Sequence, residues 1–255
     1  MNSVFSALYA IVFVLASTAL GQALPTAEPE EVGLSAEGIS KIDPFLQLYI
    51  DERRLGGAVT IVAKDDRVVH FSAKGMQDIA ADKPMRKDTL FRIYSMTKAV
   101  ASVAAMMLVE EGKLGLDDPV ATYIPAAGRM KFQGNPQTRQ MTVRDLLRHT
   151  AGFSNNVTVD SAFRRAGLPP LHESTLEEMM NRLDAVPLRY QPGTDWHYSF
   201  GTEVLARVIE VVSGQTLDVH IAEKVCKPLG MIDTAFFVPE EKRHRLAEVY
   251  GRNLQ

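Results

Sequence analysis

Ser95 and Lys98 stand three residues apart in Tyr94-Ser95-Met96-Thr97-Lys98, a spacing that puts both side chains on one face of a helix. A hydroxyl beside an amine is a nucleophile beside a base, the pairing that covalent acyl transfer requires. Lys98 carries the sole charge between Arg92 and Glu110. From Ala99 to Val109 the chain reads AVASVAAMMLV, apolar apart from Ser102, which predicts a helix buried on every side. A lysine in such a helix must be paired or neutral, and burial disfavours its charged form, which suits a base. Ser95 falls at the helix start, where unpaired N–H groups and the positive end of the dipole favour an oxyanion. The spacing alone decides nothing, because a chain of this length holds about one Ser-x-x-Lys by chance. Two readings stand on these residues: a catalytic pair, or a surface lysine with a snorkelling stem.

Composition narrows the classes. At 255 residues with a net charge of −3, the chain can bury a sizeable core as one large domain or two small ones. Basic residues are dispersed without interleaved aromatics, which argues against a nucleic-acid partner. The densest basic cluster, Lys242 to Arg245, sits beside glutamates and reads as a solvated helix face. Cys226 is the only cysteine, so neither an intrachain disulfide nor a cysteine metal site is possible, and it reads as a small core residue. The six histidines lack ligand spacing, so no metal is expected, nor any cofactor. Residues 1–27 carry no charged side chain and Val4 to Leu20 is nearly continuous apolar sequence. Residues 1–23 therefore read as an export signal with small residues for cleavage after Gly21 or Ala23, giving a periplasmic or extracellular protein. The stretch lacks a basic n-region, so an uncleaved membrane anchor is the rival reading.

Around Ser95 the elements must place a cleft. Ser35 caps an amphipathic helix through Ile39, Ile42, Phe45 and Tyr49, with Pro44 forcing a kink or a late start. Ala58 to Ala73 holds two β-branched runs about Lys64-Asp65-Asp66-Arg67, an antiparallel hairpin. Gln77 to Asp88 reads as a loop, and Gly112 ends the Ser95 helix. Capping boxes stand at Thr142-x-x-Asp145 and Thr175-x-x-Glu178, and Ser154 to Pro170 is a loop able to line a cleft. Gln191-Pro192-Gly193-Thr194 is a turn that delivers Trp196-His197-Tyr198 to a helix buried through Val204, Leu205, Val208, Ile209 and Val212. Gly214 ends that helix, Thr216 caps the next, and Thr234 to Val238 reads as the start of a strand.

In this order, FRIYSMTKAVASVAAMMLVEEGKLGLDDPVATYIP, LLRHTAGF, PGTDWHYSFGTEVLARVIEVVSG and KPLGMIDTAFFVP resemble the serine β-lactamase and penicillin-binding-protein superfamily, most of all its class C-like esterase branch. The resemblance runs from about residue 30 onward and implies an α+β fold, an α/β sandwich with an antiparallel sheet and a helical subdomain. Residues 24–255 would form a partial domain, its sheet part at 30–90 and its helical part at 91–230. The resemblance implies Ser95 as acyl-accepting nucleophile, Lys98 as base or proton relay, and Tyr198 facing them across the cleft. A neutral lysine, or a tyrosine phenolate beside an ammonium, can take the serine proton, and which of the two acts stays open. On its own residues Tyr198 reads as an aromatic anchor for the helix that follows, and His197 as a cleft-wall or surface residue.

Two departures qualify the resemblance. Where class C β-lactamases end the tyrosine motif with an amide-binding asparagine, this chain has Phe200, so Trp196-His197-Tyr198-Ser199 looks more like the esterases. No Lys-Thr-Gly, His-x-Gly or Trp-x-Gly motif follows Tyr198, so the chain reads as an N-terminal portion lacking the C-terminal strands. In the family that strand supplies a second oxyanion-hole N–H, and losing such a donor typically costs about 10²–10³ in rate. The hairpin would then present an open edge. The expected activity is hydrolysis of small carboxylic esters through an acyl-serine. The alternatives are a β-lactamase, a D-Ala-D-Ala carboxypeptidase acting on amides, or an inactive remnant. Partners are small-molecule esters or amides, with a membrane involved only if residues 1–23 remain attached.

Overall fold

A hairpin and a packed set of helices make up the chain, and the computed structural model describes residues 24–251. The expected export signal lies outside the described residues. β1 (Gly57–Lys64) and β2 (Arg67–Asp78) pair antiparallel, with Asp65 and Asp66 both at positive φ in the tight turn between them. Two successive left-handed residues match a turn to the right-handed twist of the strands. β2 runs further than its sequence suggests, because Met76 and Asp78 pair with β3 (Lys83–Pro84) inside the expected loop. The sheet order is β1-β2-β3, so β1 is an edge among the described residues.

Ser35 caps α1 (Ala36–Ser40) by accepting the Gly38 N–H at 3.1 Å, and α2 (Ile42–Asp51) restarts with Pro44 in its first turn. That position tolerates proline, whose missing N–H is an orphan there. α2 lies against β2 through a polar cluster. Ser72 donates to Asp43 at 2.6 Å, and Thr60, Ser72 and Asp43 all lie within 3.4 Å of His70 Nε2.

The helical part holds the core. α3 (Thr97–Glu110) packs through Ala101, Ala104, Ala105 and Leu108 against α7 (Gly201–Ser213), which buries Val204, Leu205, Val208 and Ile209. α3 is not buried on every side: Val103 and Met106 face outward, since α7 and α8 (Leu217–Ile221) cover only one flank. Both capping boxes form, Thr142–Asp145 opening α4 (Val143–Arg148) and Thr175–Glu178 opening α6 (Leu176–Met180). The first of them is also an ion-pair centre, for Arg139 grips Asp145 at 2.6 and 2.9 Å. The expected loop after Ser154 contains a helix, α5 (Asn156–Arg165), capped by Asn155, which accepts the Thr158 N–H at 3.0 Å.

Near the C-terminus two expectations change. Residues 234–238 form no strand; Phe236 and Phe237 are exposed, and Leu90 bridges to Leu246 instead. The basic cluster is a clasp rather than a solvated helix face. Lys242 and Arg245, on one 3-10 turn, both hold Asp233, at 2.8 and 2.6 Å, and their hydrogen bonds push its carboxyl down to about 2.

Candidate active site

Ser95 lies in a single 3-10 turn, Tyr94–Met96, that leads into α3, and no side chain caps that helix. Within that turn the Met96 N–H donates to Ile93 O at 3.0 Å and the Thr97 N–H to Tyr94 O, so what the helix start offers an anion is the positive end of its dipole. Tyr94 precedes the serine at φ 43°, a left-handed conformation costly for a bulky residue and found mainly where a site demands it.

Lys98 sits on the first turn of α3, its side chain 21% exposed. No hydrogen bond joins it to Ser95. Its ammonium points instead to Glu203 Oε1 at 3.4 Å and lies 5.6 Å from the centre of the Tyr198 ring. Of the two states open to a lysine in an apolar helix, paired or neutral, the geometry here is the paired one. Ser95, Lys98 and Glu203 line one open cleft of about 620 Å³ together with Asn156, Leu176 and Phe236.

Tyr198 stands before α7, positioned by the Gln191–Thr194 turn, in which Gly193 adopts φ 82° and the Thr194 N–H donates to Gln191 O at 3.1 Å. A β-carbon at Gly193 would meet the flexible Arg139 guanidinium, and the left-handed backbone there is what favours glycine. Tyr198 is 45% exposed, and its ring rests on His149 with centroids 4.8 Å apart. His149 closes α4 in the left-handed conformation, and its carbonyl accepts from Tyr190 Oη at 2.9 Å and from the His197 N–H at 3.1 Å. Its Nδ1 accepts the Ser199 N–H at 3.3 Å. Burial first, and then the positive charge of Lys98, hold the imidazole below its ordinary pKa, which favours the neutral ring that this acceptor role needs. His149 thus buttresses Tyr198 from beneath. His197 is half-buried, and its Nε2 lacks a hydrogen-bond partner among the described residues.

Phe200 turns away from the cleft. It is 1% exposed and packs edge-on against Phe153, with centroids 6.5 Å apart. The position that carries an amide-binding asparagine in class C β-lactamases therefore offers the cleft no polar group.

Sequence reasoning passed over Glu203, Asn156 and His149. A usable signal existed for the first: Glu203, Ala206 and Glu210 form an i, i+3, i+7 stripe on α7, and all three line the cleft. Asn156 and His149 had no such signal, since each reaches the site through loop and helix-end geometry.

Comparison with known proteins agrees with this architecture. A family model described as Beta-lactamase matches residues 40–255. Esterase EstB of Burkholderia gladioli is 35% identical over 222 residues, 85% of this chain and 56% of that protein. The structure of EstCE1, described as a hydrolase with promiscuous acyltransferase activity, superposes with a TM-score of 0.75 at 32% identity, over 83% of this chain and 56% of that one. An octameric penicillin-binding protein homologue from Pyrococcus abyssi gives 0.66 at 30% identity, over 82% and 47%. The chain spans about half the length of the relatives it matches. The fold is that of the β-lactamases and transpeptidases, and on the span and identity of these matches the chain belongs to the beta-lactamase family.

Proposed function

We propose that this chain carries the acylation site of a serine hydrolase that cleaves small carboxylic esters. The observation that carries the reading is the shared cleft: Ser95 and Lys98 line it together at the start of α3, with the Tyr198 ring across from the ammonium. Ser95 Oγ adds to the ester carbonyl carbon while its proton passes to a Tyr198 phenolate held beside the Lys98 ammonium. The bond to the alcohol oxygen breaks and the alcohol leaves with that proton. Water then adds to the acyl-serine, releasing the acid and restoring the hydroxyl. Ser95 lies at the positive end of the α3 dipole, which favours the developing oxyanion.

Phe200 supports esters over amides. A β-lactam or peptide brings an amide that wants a hydrogen-bonding side chain, and an unmatched buried amide is costly. Similarity to EstB and EstCE1 points the same way. Export is part of the proposal, supported by the uncharged apolar stretch from Val4 to Leu20. Turnover of a p-nitrophenyl ester series against a chromogenic cephalosporin tests the substrate class. Ester turnover should dominate, and faster cephalosporin hydrolysis would replace this reading with a β-lactamase.

A further inference from the structure

We propose that Glu203 is a positioning residue for Lys98, its carboxylate fixing the ammonium in the cleft where Ser95 is acylated. The proposal rests on the acyl-serine reading above.

Glu203 projects from the first turn of α7 and meets the ammonium at 3.4 Å, with both side chains at least three-quarters buried. Asn156, from α5, donates to the same Oε1 at 3.0 Å. One carboxylate oxygen is thereby held from two helices. A lysine is a point charge on a flexible four-carbon stem and does not aim itself. The Tyr198 ring, 5.6 Å from the nitrogen, attracts the charge without setting its direction. Glu203 supplies that direction.

The other oxygen argues for function rather than stability. Oε2 is buried and accepts no hydrogen bond among the described residues. An acceptor left in that state is normally a cost that packing removes. Two turns along the same stripe, Glu210 shows what a structural acid looks like here: one oxygen takes Arg207 at 3.1 Å and the other the Leu217 N–H at 3.1 Å. Glu203 instead spends one oxygen on Asn156 and on the lysine beside the nucleophile, and leaves the other unpaired.

Labelling of Ser95 by a fluorophosphonate probe, followed against time, tests the role. Glu203→Gln keeps the shape and removes the charge, and should slow labelling by about 10²-fold, as a small misplacement of a catalytic group does. For p-nitrophenyl esters the loss should fall on kcat with KM little changed, a split that general loosening of the fold would not produce. Glu203→Asp should recover part of the rate, and the melting temperature of each variant should stay near that of the parent. Asn156→Ala should slow labelling in the same sense by a smaller factor, and it decides the matter if Glu203→Gln does not fold. Parent-like labelling in these variants, or a loss confined to KM, overturns the role of Glu203 alone. A parent chain that takes no label overturns the acyl-serine reading and this role with it.

Discussion

Phe153, in the helical part, has no exposed surface, whereas Ile61, at the centre of β1, leaves 59% of its own exposed. The same contrast runs through their surroundings. Leu108, Met141, Leu146, Leu205 and Ile209 fill one continuous core, while Phe71 on β2 and Phe45 and Leu48 on α2 stay exposed. Ser95, Lys98, Tyr198 and Glu203 all belong to the helical part, with Lys98 and Glu203 largely buried and Ser95 and Tyr198 exposed. A site that must hold an ammonium to within a fraction of an ångström is built on elements whose rotamers are locked by packing. The hairpin contributes strands and an edge but no cleft residue.

Substitutions that probe the two regions should diverge accordingly. The largest effect belongs to the core: Phe153→Ala should lose about 3–5 kcal/mol in urea unfolding, from lost transfer energy and the cavity left against Phe200. A loss under about 1 kcal/mol would mean the helical part is no better closed than the hairpin. Next comes the ion-pair centre at α4. Burial by itself would raise the Asp145 pKa, but hydrogen bonds from Arg139, Thr142 and Thr150 outweigh it and leave the group lowered from 3.8. A carboxyl lowered on folding stabilises fully above its unfolded value, and the contribution fades as pH falls through the folded one. Asp145→Asn should therefore cost about 2–3 kcal/mol at pH 7, with the gap to the parent narrowing below pH 4. An unchanged gap in acid would show that the carboxylate charge is not what holds α4. The smallest effect should come from Ile61→Thr, within about 0.5 kcal/mol either way, since an exposed β-branched residue is exchanged for another. A loss above about 2 kcal/mol would reveal that β1 is covered in solution.

Legibility in the sequence follows the same division between local and long-range causes. The hairpin, the two capping boxes, the Gly193 turn and the buried face of α7 were readable because each depends on residues within a few positions of one another. The extra strand length of β2, the absence of a strand at 234–238 and the Asp233 clasp were not, since each is set by a distant partner. At the site, Ser95 and Lys98 were legible from spacing and an apolar context, and Tyr198 from motif order alone. Glu203 was hidden by its neighbours: among the apolar positions of α7 it reads as an ordinary solvated acid until α3 is laid against it.

The central claim is that Ser95 forms the covalent bond. Intact-mass measurement of the chain quenched during turnover of p-nitrophenyl butyrate tests it most directly. One butyryl group per chain should appear on the peptide bearing Ser95, and none in Ser95→Ala. An unmodified parent chain, or acylation that persists in Ser95→Ala, would contradict the account.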